Sequence, residues 1–207
     1  FCRQEVKKLY HIHEDKRVEK SVEQICQALN DMILEGRPRA ALSVTALSAR
    51  AGVSKATFYR SFDAIEDVLR YQVDQAVRQM IAYLMEARAD EQHPGELALF
   101  RAFFRFWMAH SAVVELLIQT KTTYLLMEAF SAALFRHINF FGRYTDEDVI
   151  PYFVAVRAAS LTAVLECWLG DQKRTHPDDM PQLLLRLMKP GGMPRPRPDG
   201  PCRGPSV

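Results

Sequence analysis

Apolar residues recur at spacings of three and four along most of this chain, and no run alternates apolar and polar residues at a period of two. The pattern predicts an all-α fold. A first helical segment precedes Ser43. A short second helix follows Ser43, which can cap it, and turns Leu47 and Ala51 inward. Gly52 then permits the positive φ of a tight turn. Ser54 caps a third helix, Lys55 to Phe62, whose Phe58 and Phe62 form an inward i, i+4 pair. Asp63 and Glu66 read as the capping box of a long fourth helix reaching about Ala89, with Val68, Val73, Ala76, Val77 and Ile81 on its apolar face.

His93-Pro94-Gly95 is a break. The helix after it, from Glu96, is apolar nearly all round and is therefore expected to be buried. Further helices are predicted over Ala112 to Gln119, Thr122 to Phe141, Thr145 to Gly170 and Pro177 to Met188. After Lys189 the chain holds six prolines and turns into MPRPRPDGPCRGPSV, which cannot support a packed core. The expected organisation is a basic extension over 1–20, a three-helix unit over 21–66, a helical body over 67–189 and a disordered tail over 190–207. The extension is either a basic arm or a frayed end.

A length of 207 residues with 48% hydrophobic and 25% charged residues fits a globular protein with a real core. No apolar run reaches the roughly 18 residues that span a membrane, and no signal-peptide pattern opens the chain; a cytoplasmic protein without membrane contact is expected. The four cysteines, Cys2, Cys26, Cys167 and Cys202, form no C-x-x-C pair and read as reduced thiols. His11 and His13 lack the neighbouring carboxylates or thiols of a metal site, so neither metal nor cofactor is expected. No G-x-S-x-G, H-E-x-x-H or phosphate-loop motif suggests an enzyme.

Net charge is only +2, yet from Arg37 to Phe62 the charged residues are Arg37, Arg39, Arg50, Lys55 and Arg60, with no acid among them. Locally concentrated cations on a compact helical unit suit a reader of double-stranded DNA, because phosphates dominate affinity. On the third helix Lys55, Ala56, Thr57, Tyr59 and Arg60 remain for the outer surface. Small Ala56 permits close approach, Lys55 can meet guanine acceptors, Thr57 can meet a base edge or a thymine methyl, and Tyr59 and Arg60 suit phosphates. The competing reading is an ordinary helical hairpin with a solvated basic face.

The segment AGVSKATFYRSF, Ala51 to Phe62, resembles the A-G-V-S-x-x-T-[LF]-Y-x-x-F signature of the TetR family of bacterial transcriptional repressors; upstream, Ile25, Ala28, Leu29, Ile33 and Leu34 are similar to the inner apolar face of that family's first helix, and the likeness extends over about Val22 to Leu69. The resemblance implies a helix-turn-helix domain on a helical effector-binding and dimerisation domain. It carries DNA contacts onto Ser43, Thr45, Lys55, Ala56, Thr57, Tyr59, Arg60 and Ser61. The chain departs from the family where Ser61 stands in place of a common His and Ile65 in place of a common Lys.

Phe103, Trp107, Met108, Leu117, Tyr124 and Met127 cluster in the middle helices. Such a stripe is either plain core or, as the resemblance implies, the wall of a pocket for an apolar or aromatic effector, with Arg105, His110, Gln119, Thr123 and Tyr124 as its polar groups. Phe153, Ser160, Leu161, Val164 and Trp168, with Leu184 and Leu187 of the last helix, read as either an intramolecular helical pair or the interface of a homodimer addressing a palindromic operator. The function expected is a homodimeric repressor released from DNA by a small effector; the alternative is a ligand-independent DNA organiser or cofactor-recruiting protein of the same fold.

Overall fold

The computed structural model describes residues 16–36, 42–90, 96–141, 147–170 and 175–188. The basic extension up to residue 15, Arg37, Arg39 and the proline-rich tail lie outside the described residues, as do His11, His13, Cys2 and Cys202. The described residues form ten helices and no extended strand. They are α1 (Lys16–Leu34), α2 (Val44–Ala51), α3 (Lys55–Ser61), α4 (Ile65–Asp90), α5 (Glu96–Ala109), α6 (Ser111–Thr120), α7 (Tyr124–Arg136), α8 (Ile138–Phe141), α9 (Ile150–Gly170) and α10 (Met180–Met188).

α1, α2 and α3 pack on one another, and α1 also touches α4 and α6. α4 runs unbroken out of this unit into the body, where α5 and α7 lie against it. α9 rests on α6 and α7, and α10 on α5. One continuous apolar core runs through both parts, from Ile25, Leu29 and Phe58 to Trp107, Phe130 and Leu165.

Several local expectations change. Leu34, assigned to the inner face of α1, is 68% exposed, because it is the last residue of the helix and the core face ends at Ile33. α4 begins at Ile65, two residues later than the sequence suggests. The carboxylate that caps it backwards is Asp67, whose Oδ2 accepts the Ala64 N–H at 2.7 Å, rather than Glu66. The predicted helix to Phe141 divides at His137 into α7 and α8, and the last helix starts at Met180 after a turn over 177–179. α9 is long and apolar enough, by length and composition, to cross a membrane. Val154, Ala158, Leu165 and Leu169 nevertheless bury one of its faces in the body, and Arg157 and Glu166 interrupt it.

Candidate nucleic-acid interface

The three-helix unit is assembled by caps and a small aromatic core. The Ser43 hydroxyl accepts the Ala46 N–H at 3.2 Å and starts α2. Gly52 stops it with φ 67°. Its N–H bonds to the Ala49 carbonyl and that of Val53 to the Ser48 carbonyl, the paired bonds of a Schellman turn. Two residues on, the Ser54 hydroxyl accepts the Thr57 N–H at 3.0 Å and starts α3. The two tight stops fix the angle between α2 and α3. Beneath them Phe58 and Phe62 are fully buried, 5.8 Å apart between ring centroids, and Phe62 meets Tyr71 of α4 at 6.0 Å. Burial of each ring contributes about 1.5–3 kcal/mol, so the recognition-helix position is held by core rather than by surface contacts.

With its apolar side locked, α3 presents Lys55, Ala56, Tyr59 and Arg60 to solvent, Tyr59 at 53% exposure. Thr57 is half-buried, and its hydroxyl lies 2.9 Å from that of Ser54, so it belongs partly to the cap. Ser43 and Thr45 are exposed at the start of α2. Ser61 is a correction. Named as a DNA contact by the resemblance, it is 2% exposed here, because it falls one turn after Phe58 on the side facing the domain interior. Ile65 is half-buried against the core at the head of α4, where a cation would gain nothing from packing. The basic set is also smaller than the sequence suggests: Arg50 is paired with Glu35, at the end of α1, leaving Lys55 and Arg60 as the exposed cations of α3.

Of the residues nominated for an effector pocket, Phe103, Trp107 and Leu117 are buried in the core. Phe103 and Trp107 pack edge-on with centroids 6.4 Å apart, and both meet Phe130, at 5.9 and 5.8 Å. The Trp107 indole N–H points at the Met80 sulfur, 3.3 Å away, and Leu117 is buried in the same core. Tyr124 and Met127 sit on the exposed side of α7, and Met108 is half-buried on α5. Of the polar candidates, Arg105 is engaged by Asp178 through two bonds of 2.6 and 2.9 Å, and Tyr124 bonds Glu66. Two clefts of about 140 and 240 Å3 each hold one of the nominated polar groups, Arg105 in the smaller and His110 in the larger, which lies between α1, α4 and the α5–α6 junction. Its glutamines, Gln72, Gln75 and Gln79, were missed; the signal was an amide stripe at spacings of three and four along α4.

On α9 the nominated interface divides. Phe153, Ser160, Leu161 and Val164 are half-buried, and so is Leu184 on α10; the Leu187 side chain lies outside the described residues. Trp168 turns inward, its indole N–H donating to the Thr175 carbonyl at 2.8 Å and its ring packing on Phe104 at 5.3 Å. The uncovered apolar positions include instead Tyr152, Val156, Ala159 and Ala163, spaced by four, three and four along one face, with Ala155 beside them.

Residues 32–71 match the family model of the bacterial regulatory proteins, tetR family. No curated protein matches the chain in sequence. Among solved structures, Lin0861 from Listeria innocua superposes with a TM-score of 0.65 at 19% identity, covering 84% of this chain and 92% of that one. A structure described as a TetR-family transcriptional regulator, from Syntrophomonas wolfei, gives 0.57 at 17% identity, with 81% and 92% covered. The fatty acid degradation regulator FadR from Bacillus halodurans gives 0.51 at 13%, with 85% and 96% covered. At these identities the likeness speaks to the fold, and the matched segment is the capped α2–α3 unit with its flanking helices. Residues 32–71 thus carry the helix-turn-helix domain of the tetR-family bacterial regulatory proteins, on a fold shared with these structures, and the chain is a DNA-binding transcription regulator.

Proposed function

We propose that the chain acts in the cytoplasm as a homodimeric repressor, two α3 helices entering successive major grooves of a palindromic operator. The observation that carries this reading is the outer face of α3, where Lys55, Ala56, Tyr59 and Arg60 are exposed on a helix whose other side is fixed by Phe58 and Phe62. The N-terminal residues of such a helix meet base edges, and Tyr59 and Arg60 reach the phosphates. Ser43 and Thr45, at the N-terminus of α2, suit a neighbouring phosphate, where helix N–H groups favour an anion. The Thr57 hydroxyl is shared with the Ser54 cap, which leaves its methyl for a thymine.

Genomic fragments captured by the purified protein supply the operator, and fluorescence anisotropy at fixed salt then tests the face. Lys55→Ala is expected to cost about 1–3 kcal/mol and to relax preference at one base pair. Tyr59→Ala weakens binding more evenly across sequences. Unchanged affinity in both variants refutes this face.

Release by a small apolar or aromatic effector completes the repressor reading. The close packing of Phe103, Trp107 and Phe130 favours a second reading in which the chain is a ligand-independent DNA organiser. An effector that enters the body must therefore either open that core or bind elsewhere.

A further inference from the structure

The 240 Å3 cleft lies where the DNA-reading unit joins the body: Cys26 and Glu23 come from α1, the three glutamines from α4, and His110 and Val113 from the α5–α6 junction and α6. Its walls supply an amide-recognition set. Gln72 Nε2 is enclosed and has no hydrogen-bond partner among the described residues, a donor awaiting an acceptor. His110 stacks on Phe106 at 4.1 Å, and its Nδ1 lies 2.9 Å from the Phe106 carbonyl. That contact assigns the proton of the neutral ring to Nδ1 and leaves Nε2 as an acceptor. The Tyr71 and His110 rings provide flat surfaces, and Cys26, Ala76 and Val113 an apolar floor. Burial, reinforced by Glu23, pushes the Cys26 thiol up to about 12, so it serves as unreactive wall. The same Glu23 carboxylate repels an anion.

We propose that this cleft binds a small uncharged aromatic amide, its carbonyl accepting from Gln72 and its N–H donating to His110, and that occupancy shifts α1 against α4. Because α1 packs on both α2 and α3, a shift of α1 re-aims the reading helix. This regulatory half rests on the DNA-binding reading; the site itself does not. The ligand favours release by whatever margin it prefers the cleft of the DNA-free conformation.

The probe is benzamide, titrated into the full chain and followed by NMR of the glutamine side-chain amides. Saturable shifts of Gln72, Gln75 and Gln79 are expected, with affinity reduced at least tenfold in Gln72→Leu and lost in Val113→Phe, whose ring fills the floor. If Val113→Phe fails to fold by circular dichroism, Gln72→Leu alone decides. Equal or tighter binding of benzoate or benzylamine overturns the assigned chemistry, and absence of shifts at millimolar benzamide overturns the site. Saturating benzamide should also weaken operator binding at least tenfold by anisotropy; binding without that change overturns the regulatory half. Failure of the ligand-free chain to bind DNA is a failure of the DNA reading, and the NMR titration still decides the site.

Discussion

Gly52 and Lys121 end α2 and α6 by the same device. Each takes a left-handed conformation, with φ 67° and 56°, and each is followed by the two backbone bonds of a Schellman turn. Only one of them is a glycine. A Cβ in that region costs about 1–2 kcal/mol, and around Gly52 there is open space, so conformation alone decides the outcome. Lys121→Gly is expected to raise stability by about 1 kcal/mol in urea denaturation. No change, or a loss, would show that the exposed lysine makes a compensating interaction. At this scale the sequence was most legible where a residue has one common job: Ser43, Gly52 and Ser54 do what their chemistry suits them for. It was least legible where a side chain has two. The Trp168 indole can end at a dimer surface or tuck under a loop, and the Thr175 carbonyl that captures its N–H is not signalled by spacing.

Among the elements, α4 is the one shared by the reading unit and the body, and its polar tie to α7 lies close to the DNA end. Arg70 pairs with Glu128 of α7 and lies 3.8 Å from Glu66 of its own helix, while the Tyr124 hydroxyl bonds Glu66. Burial first, then this bond to a carboxylate, pushes the Tyr124 phenol up to about 12 from an ordinary value of 10.0. The folded chain therefore holds this proton more tightly than the unfolded one. The contribution is complete below pH 10 and is lost as pH rises toward 12, where the unfolded phenol has already ionised. In Tyr124→Phe the fall in stability across that window should be shallower than in the parent, measured by denaturant midpoints at each pH. Equal slopes would place the titration on other groups.

Helix existence was readable from periodicity. The ends were not, because Asp67 rather than Glu66 closes the α4 cap and His137 interrupts an otherwise continuous pattern. Nor was the role of the middle helices readable: aromatic residues at helical spacing look alike in sequence whether they line a pocket or fill a core, and spacing does not signal the edge-on contacts of Trp107 with Phe103 and Phe130.

For the whole molecule, the proposed homodimer turns on α9. Its sequence is apolar on every side, so periodicity could not say which face meets its own body and which is left over. Folding assigns Val154, Ala158, Thr162 and Leu165 inward and leaves Tyr152, Val156, Ala159 and Ala163 uncovered, with Tyr152 and Val156 at 75% and 65% exposure. The two alanines permit close backbone approach, and a two-fold axis through this face would set each stripe against its own copy. Such an arrangement is what a palindromic operator requires, because two reading units must reach half-sites about 34–36 Å apart or a multiple of that. Val156→Glu is expected to give a monomer in sedimentation, since the new carboxylates would be buried without partners, while leaving helix content intact at a site already exposed in one chain. Trp168→Phe, on the opposite side of α9, should soften the body without dissociating the dimer. The reverse pattern, a stable Val156→Glu dimer and a monomeric Trp168→Phe, would move the interface off this face. Operator affinity supplies the independent reading. A monomer keeps one half-site contact, so Val156→Glu should lose most of its binding to the palindrome and little of its binding to an isolated half-site.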